Sequence, residues 1–173
     1  MMKEIIWLGR GGQGAFTVAK LLGAAYTLKG DQYYGIAFPS FGPERRGAPV
    51  NAFTKVDNKP VLDRSQTKKA DYIIVLDETL YDESLKLRLK ENGKIIVNTK
   101  VLIDEKVISF DAQQVAKQFK LSTVNTVLLG AFAAISGIVT LEELFSAIEY
   151  YMPQKIREKN KEAVAKAQEE VSL

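Results

Sequence analysis

The chain has 173 residues, of which 46% are hydrophobic, and it carries 24 Lys and Arg against 21 Asp and Glu. That length supplies one sizeable core, so we expect residues 1–173 to form a single domain. The small basic excess excludes the dense positive patch of a nucleic-acid binder, and no apolar run reaches the roughly 20 residues that span a bilayer. Because the first residues lack the features of a signal peptide, we expect a cytoplasmic protein with no membrane or nucleic-acid partner.

The chain contains no Cys and no His. It therefore lacks the thiolate and imidazole ligands of iron–sulfur clusters, haem and structural zinc, and every catalytic arrangement that depends on Cys or His. We expect no metal ligand and no catalytic residue in this chain. The shortage of reactive groups indicates a supporting subunit.

The first third of the chain alternates between apolar runs and turn signals. Residues 4–8 form a short β-rich run that predicts a buried strand, and a helical stripe follows over residues 15–29. Residues 33–38 predict a second strand. Residues 50–56 and 60–62 flank Asp57-Asn58-Lys59 and predict a hairpin or a pair of neighbouring antiparallel strands.

The remainder of the chain predicts alternating strands and helices. We expect strands at residues 71–77, 94–98 and 107–110, and helices at residues 81–91, 112–119, 125–135, 140–150 and 153–170. Thr140 and Glu143 have the spacing of a capping box. The pattern as a whole predicts an α/β fold: one Rossmann-like domain with a mostly parallel sheet, an antiparallel hairpin and helices on both faces.

A glycine-rich segment, Gly9-Arg10-Gly11-Gly12-Gln13-Gly14, follows the first predicted strand and precedes the first predicted helix. Glycines permit a tight turn with positive φ and bring backbone N–H groups close to an anion, while the helix start adds partial positive charge. The spacing is that of a dinucleotide-binding loop. The same glycines also suit close packing of a strand against a helix, with no ligand.

An NAD-binding loop is accompanied by an acidic residue at the end of the second strand, which holds the ribose hydroxyls. Here that strand ends at Phe38-Pro39, and Asp31 precedes the strand. A phosphate-binding loop of the Walker type would need Lys followed by Ser or Thr after the last glycine. The sequence therefore weakens the first interpretation and excludes the second.

A second segment, Phe38-Pro-Ser-Phe-Gly-Pro-Glu-Arg-Arg-Gly-Ala-Pro49, combines three prolines with Glu44, Arg45 and Arg46. Prolines stiffen a loop, and paired arginines bind phosphates and carboxylates or dock onto acids of a partner. A surface pair between Glu44 and one arginine is the simpler alternative. Asp77 and Glu78 end a predicted strand, where α/β sheets place ligands, although an acid there also caps helices.

These segments, together with Asp77-Glu-Thr79 and Asn125-Thr-Val-Leu-Leu-Gly130, resemble the gamma subunit of 2-oxoacid:ferredoxin oxidoreductases. The Arg-Arg-Gly-Ala-Pro segment is more similar to the pyruvate and branched-chain types than to the 2-oxoglutarate type. The resemblance implies a complex that oxidatively decarboxylates pyruvate or a related 2-oxoacid to acyl-coenzyme A and reduces ferredoxin.

The resemblance also implies how the work of such a complex is divided. Alpha, beta and delta partner subunits carry thiamine diphosphate and the iron–sulfur clusters, ferredoxin is reached through the complex, and the isolated chain is inactive. We hypothesise that the Gly9 to Gly14 backbone with Arg45 or Arg46 accepts phosphates of coenzyme A, with Arg10 and Gln13 assisting. A free-standing NAD(P)-dependent oxidoreductase and a non-catalytic nucleotide-binding interaction module are the alternatives.

Overall fold

A computed structural model describes residues 1–40 and 46–171. Its centre is a six-stranded sheet with the strand order β2-β3-β1-β4-β5-β6. Strands β1, β4, β5 and β6 are parallel neighbours, whereas β3 is antiparallel to both β1 and β2. The strands are β1 (Lys3–Arg10), β2 (Tyr34–Pro39), β3 (Pro49–Asp57), β4 (Ala70–Val75), β5 (Leu89–Asn98) and β6 (Val107–Phe110).

The five α-helices contribute to one large core on the first face of the sheet. Strand β1 points Ile5 and Trp7 into this core, and Trp7 packs edge to face on Phe132, with ring centroids 5.7 Å apart. The Trp7 indole also donates to Thr54, whose hydroxyl donates to the Ala19 carbonyl, so a buried hydrogen-bond chain connects two strands and a helix. The helices are α1 (Ala15–Thr27), α2 (Ala112–Gln118), α3 (Asn125–Ser136), α4 (Leu141–Tyr151) and α5 (Gln154–Glu170).

The second face of the sheet has a smaller core, to which β1 contributes Ile6 and Leu8. Two 3-10 helices, Glu78–Leu80 and Glu83–Arg88, cover this face, with Leu85 as their buried anchor. Because the central strands are covered on both faces, they are apolar on both, as buried parallel strands are. The predicted α/β class, mostly parallel sheet and helices on both faces are confirmed, although the α-helices lie on one face and the 3-10 helices on the other.

Two predicted elements are wrong, each because strand pairing outweighs local pattern. Residues 60–62 form no strand: both edges of β3 are already paired, to β1 and β2, and the antiparallel hairpin is therefore β2–β3. Residues 81–91 do not form an α-helix, because Asp82 caps a short 3-10 helix and Leu89 already pairs with Ala70 at the start of β5. The predicted capping box at Thr140 and Glu143 is confirmed.

Candidate functional site

The glycine-rich loop turns between β1, which ends at Arg10, and α1, which begins at Ala15. Gly12 and Gly14 have φ values of 93° and 77°, a region that side-chain-bearing residues rarely adopt. Gly14 is the N-cap of α1, and a Cβ atom there would lie 2.4 Å from the Asn125 side-chain nitrogen. Backbone conformation and close packing therefore both require glycine at position 14.

Gln13 fixes the loop from within. Its side-chain Oε1 accepts a hydrogen bond from the Arg10 backbone N–H at 2.7 Å, and the Gln13 backbone N–H donates to the Arg10 carbonyl at 3.0 Å. Its Nε2 donates to Asp77 Oδ2 at 3.0 Å. The side chain therefore closes the turn and connects it to the segment that follows β4.

Arg10 connects three separate segments at the carboxyl end of β1. Its Nε lies 3.3 Å from Asp77 Oδ2, its Nη2 donates to Thr79 Oγ1 at 2.7 Å, and its Nη1 donates to the Gly47 carbonyl at 3.1 Å. The guanidinium is thus already engaged on all three of its nitrogens. A phosphate would therefore have to compete with these three acceptors for Arg10.

Asp77 receives most of these donors. One carboxylate oxygen accepts from the amide and the hydroxyl of Thr79, at 3.1 and 2.6 Å, and the other accepts from Gln13. Partial burial pushes the pKa of Asp77 upward, but the hydrogen bonds from Thr79 and Gln13 and the charge of Arg10 outweigh it and hold the pKa below its ordinary value. Asp77 is therefore an ionised anchor for the loop at neutral pH.

Residues 46–48, within the second segment, lie beside the glycine-rich loop. Gly11 donates to the Ala48 carbonyl at 2.8 Å and Gly47 donates to the Gly11 carbonyl at 3.1 Å. The Arg46 side chain passes above Gly12, so that a Cβ added there would lie 3.9 Å from Arg46 Nε. The groove of about 320 Å³ at this loop is lined by Arg10, Gly11, Gly12, Gly14, Phe16, Asn51 and neighbouring residues, and Arg46 lies beside it, above Gly12.

This groove has the features that accept an anion. No side chain in the described part of the molecule caps the first turn of α1, whose N–H groups border the groove. Arg46 is exposed, and it makes no ion pair with any carboxylate among residues 1–40 and 46–171. The predicted site residues Glu44 and Arg45 lie outside the described residues, so their place in the site stays a prediction.

A second, larger cleft of about 520 Å³ lies at the carboxyl ends of β4, β5 and β6. Asp77, Glu78 and Gln13 line it, and Gly12 lines both this cleft and the groove. The Thr99 hydroxyl donates to Glu78, and Asn98 donates to the Leu76 carbonyl at 3.1 Å. The predicted site residues that the structure describes therefore lie in the glycine-rich loop or on either side of it.

The structure adds residues to which the sequence assigned no role. Gly47, Thr79 and Asn125 contact the loop directly, and Thr99 orients Glu78. Thr79 and Asn125 stand in segments that carried the family resemblance, but hydroxyl and amide side chains outside a loop motif give no signal of a contact so distant in sequence. Asn125, for instance, donates to the Gly14 carbonyl at 3.2 Å across 111 positions.

The sheet order bears on the dinucleotide interpretation. In an NAD-binding sheet the second strand is the parallel neighbour of the first, and its acidic end faces the glycine loop. Here the antiparallel β3 separates β2 from β1, and β2 ends at Pro39.

Within residues 1–40 and 46–171, no group of acidic side chains could hold a metal ion and no helix is long and apolar enough to cross a membrane.

Comparison with known proteins matches nearly the whole chain. A family model described as pyruvate ferredoxin/flavodoxin oxidoreductase matches residues 4–170. Pyruvate synthase subunit PorC of Methanothermobacter thermautotrophicus is 45% identical, over 98% of this chain and 96% of its own. The common gamma subunit of the pyruvate/ketoisovalerate oxidoreductases of Pyrococcus furiosus is 39% identical, over 99% and 98%. The crystal structure of subunit PORC of Thermotoga maritima pyruvate oxidoreductase superimposes with a TM-score of 0.84 at 34% identity, over 99% and 97%.

Proposed function

We propose that this chain, which belongs to the pyruvate ferredoxin/flavodoxin oxidoreductase family and is a subunit of such a complex, is the gamma-type subunit. The reaction that we propose for the complex is the oxidative decarboxylation of pyruvate or a related 2-oxoacid. In this proposal the complex transfers the acyl group to coenzyme A and the electrons to ferredoxin. Alpha, beta and delta subunits supply thiamine diphosphate and the iron–sulfur clusters. The chain itself offers no Cys or His to hold a cluster.

We further propose that the groove beside the glycine-rich loop accepts a phosphate of coenzyme A. The observation that carries this proposal is the position of Arg46 above Gly12, next to the uncapped start of α1. Backbone N–H groups at a helix start and a guanidinium are both donors that phosphates prefer. The start of α1 lines the groove and Arg46 lies beside it, above Gly12, a setting that suits a phosphate better than the neighbouring cleft, whose lining includes Asp77, Glu78 and Asp111.

The two alternative functions gain no support from the geometry. A free-standing NAD(P)-dependent oxidoreductase would need an acid at the end of β2, which ends at Pro39, and the antiparallel β3 takes the place beside β1 that its second strand would occupy. A nucleotide-binding interaction module would bind its ligand without any partner subunit. Purified chain that binds NAD(P) and oxidises a hydroxy acid would favour the first, and ligand binding without turnover or partners would favour the second.

The test of the phosphate site is the Arg46→Ala variant in the assembled complex, together with the Arg45→Ala/Arg46→Ala double variant. Loss of one charge-assisted hydrogen bond corresponds to about 1.5–3 kcal/mol, so we expect roughly 10- to 100-fold weaker binding of coenzyme A. The KM for coenzyme A should rise while the KM for the 2-oxoacid stays constant.

Lys100→Ala is the matched control for this experiment. It also removes one cation, but from the rim of the neighbouring cleft. The control should leave coenzyme A affinity unchanged. Unchanged affinity in both arginine variants would exclude the groove as the phosphate site.

A further inference from the structure

The phosphate groove is assembled from segments that are distant in sequence. The glycine-rich loop and the start of α1 supply one wall, Pro39 with Val50 and Asn51 supplies another, and the segments at Arg46 and after β4 lie beside them. Within residues 1–40 and 46–171, Arg10 is the side chain that hydrogen-bonds to both of the other segments. Its position makes it the connection through which the geometry of one segment depends on the others.

The contact with Gly47 reaches the peptide unit next to Arg46. Gly47 has a φ of 87°, and its carbonyl accepts from Arg10 Nη1 at 3.1 Å while its amide donates to the Gly11 carbonyl at 3.1 Å. A glycine in this conformation has many alternatives open to it. The two hydrogen bonds together hold Gly47 in one backbone conformation. They thereby fix the direction in which the Arg46 side chain projects.

The opposite side of the guanidinium is anchored by Asp77 and Thr79. The Arg10 side chain is 33% exposed and Asp77 only 19%, so the ion pair is partly shielded from solvent. Three nitrogens of one planar group meet three different acceptors: a carboxylate, a hydroxyl and a carbonyl. A lysine ammonium is a point charge on a flexible stem and cannot reproduce three contacts fixed in one plane.

We propose that Arg10 is a positioning residue: it holds the Arg46 segment in the geometry that binds phosphate, and does not bind the phosphate itself. The inference rests on the proposed function, since it assigns Arg10 a role in the same coenzyme A site. It also explains why an arginine within the loop motif turns toward Asp77 and Gly47. Arg46, which has no such partners among the described residues, is left for the ligand.

The test uses Arg10→Lys, which keeps the positive charge and a trypsin cleavage site but removes the planar guanidinium with its three donor nitrogens. Two quantities are measured: the rate of tryptic cleavage after Arg46 in the full chain, followed by mass spectrometry, and the KM values for coenzyme A and the 2-oxoacid in the complex. We expect cleavage after Arg46 to accelerate several-fold. We also expect the KM for coenzyme A to rise about tenfold, the loss expected for one charge-assisted hydrogen bond, with the KM for the 2-oxoacid unchanged.

The double variant Arg10→Lys/Arg46→Ala separates positioning from general damage. If Arg10 acts through Arg46, its substitution should add nothing to the KM for coenzyme A once Arg46 is gone, whereas independent effects would multiply. Arg88→Lys is the matched control, because Arg88 donates to the Thr67 carbonyl at 3.4 Å away from the groove. Thr79→Val, which removes a single acceptor of Arg10, replaces Arg10→Lys if that variant does not fold.

The outcomes distinguish this inference from the proposed function. If Arg46→Ala raises the KM for coenzyme A but Arg10→Lys changes neither that KM nor the cleavage rate, the positioning role is overturned and the phosphate site stands. Multiplicative effects in the double variant also overturn it. If neither substitution shifts the KM, the coenzyme A assignment fails, and the cleavage rate alone decides whether Arg10 holds the Arg46 segment.

Discussion

Gly14 and Asn125 show how a loop motif is tied to a residue far along the chain. The sequence predicts that the glycines admit a tight turn, and the φ values of 93° at Gly12 and 77° at Gly14 agree. The contact between Gly14 and Asn125 could not be predicted, because it depends on how α3 packs beside α1. Asn125 is itself held in place, since its Oδ1 accepts from the Thr123 hydroxyl at 2.7 Å.

Substituting alanine at positions 12 and 14 should separate backbone strain from steric conflict. Both sites have positive φ, which costs a side-chain-bearing residue about 1–2 kcal/mol. An alanine at position 14 also displaces Asn125, so we expect Gly14→Ala to lower the free energy of unfolding by roughly 1 kcal/mol more than Gly12→Ala. Urea denaturation measures both.

The Asn125→Ala background provides the control for this comparison. Without the Asn125 side chain, the cost of Gly14→Ala should fall to that of Gly12→Ala. Equal costs at the two positions in the natural background would show that the Asn125 contact contributes nothing.

At the candidate site, too, some features could be predicted from the sequence and others could not. The loop at Gly9 to Gly14 and the pair Asp77 and Glu78 could be found because turn chemistry and strand ends leave marks in the sequence. The partners of Arg10 could not, because a guanidinium accepts any nearby oxygen and the sequence does not show which one lies within reach. The structure supplies Asp77, Thr79 and Gly47.

Three strands are joined at their amino-terminal ends by a charged cluster around Asp71. Its carboxylate accepts from Lys3 at 3.1 Å and from the Glu4 amide at 2.9 Å, both in β1, and from Lys90 in β5 at 2.7 Å. Burial alone would raise the pKa of Asp71, but hydrogen bonds from Lys90, the Glu4 amide and Lys3 outweigh it and lower the pKa. Asp71 therefore stabilises the sheet in its ionised form.

Asp71→Asn should destabilise the protein in a pH-dependent way. Because the folded-state pKa lies below the unfolded value of about 3.9, the stabilisation is fully present above that value and is lost as pH falls through the folded pKa. We expect a loss of about 1.5–3 kcal/mol at pH 7 that shrinks steadily below about pH 4. Denaturation curves between about pH 7 and 3 measure it.

The exposed Asp31 offers the matched substitution, Asp31→Asn, which should cost little at any pH. A loss in Asp71→Asn that stays constant down to acidic pH would contradict the ionic role of Asp71.

At the level of elements, the sequence predicts what is local and misses what pairing decides. The capping box of α4 and the proline start of α5 are set by neighbouring residues, and both are found as predicted. The segment 81–91 has helical spacing but only one buried anchor, Leu85, while Leu87 is 76% exposed. Pairing of Leu89 with Ala70 then extends β5 into it.

At the scale of the whole molecule, the arrangement of strands decides between the candidate functions more clearly than the loop does. The glycine spacing by itself is compatible with NAD, but the antiparallel β3 takes the place beside β1, and β2 ends at Pro39 without an acidic residue. The order of strands in a sheet depends on long-range packing, which no local pattern encodes. The family resemblance, by contrast, could be read from the sequence, because it rests on short segments whose residues and order are visible there; among them, Gly12, Asp77 and Glu78 line the groove or the cleft.

The absence of Cys and His gives the second molecular-scale argument. We propose that this chain contributes to the complex through binding and positioning, at the groove beside Arg46 and Arg10. Its activity should therefore be a property of the assembly.

The most direct measurement is ferredoxin reduction by the complex, reconstituted under anoxic conditions with and without this chain and supplied with pyruvate and coenzyme A. We predict that the isolated chain is inactive, that the partner subunits alone lose the coenzyme A-dependent rate, and that adding the chain restores it. Full coenzyme A-dependent reduction by the partner subunits without this chain would contradict the proposed function.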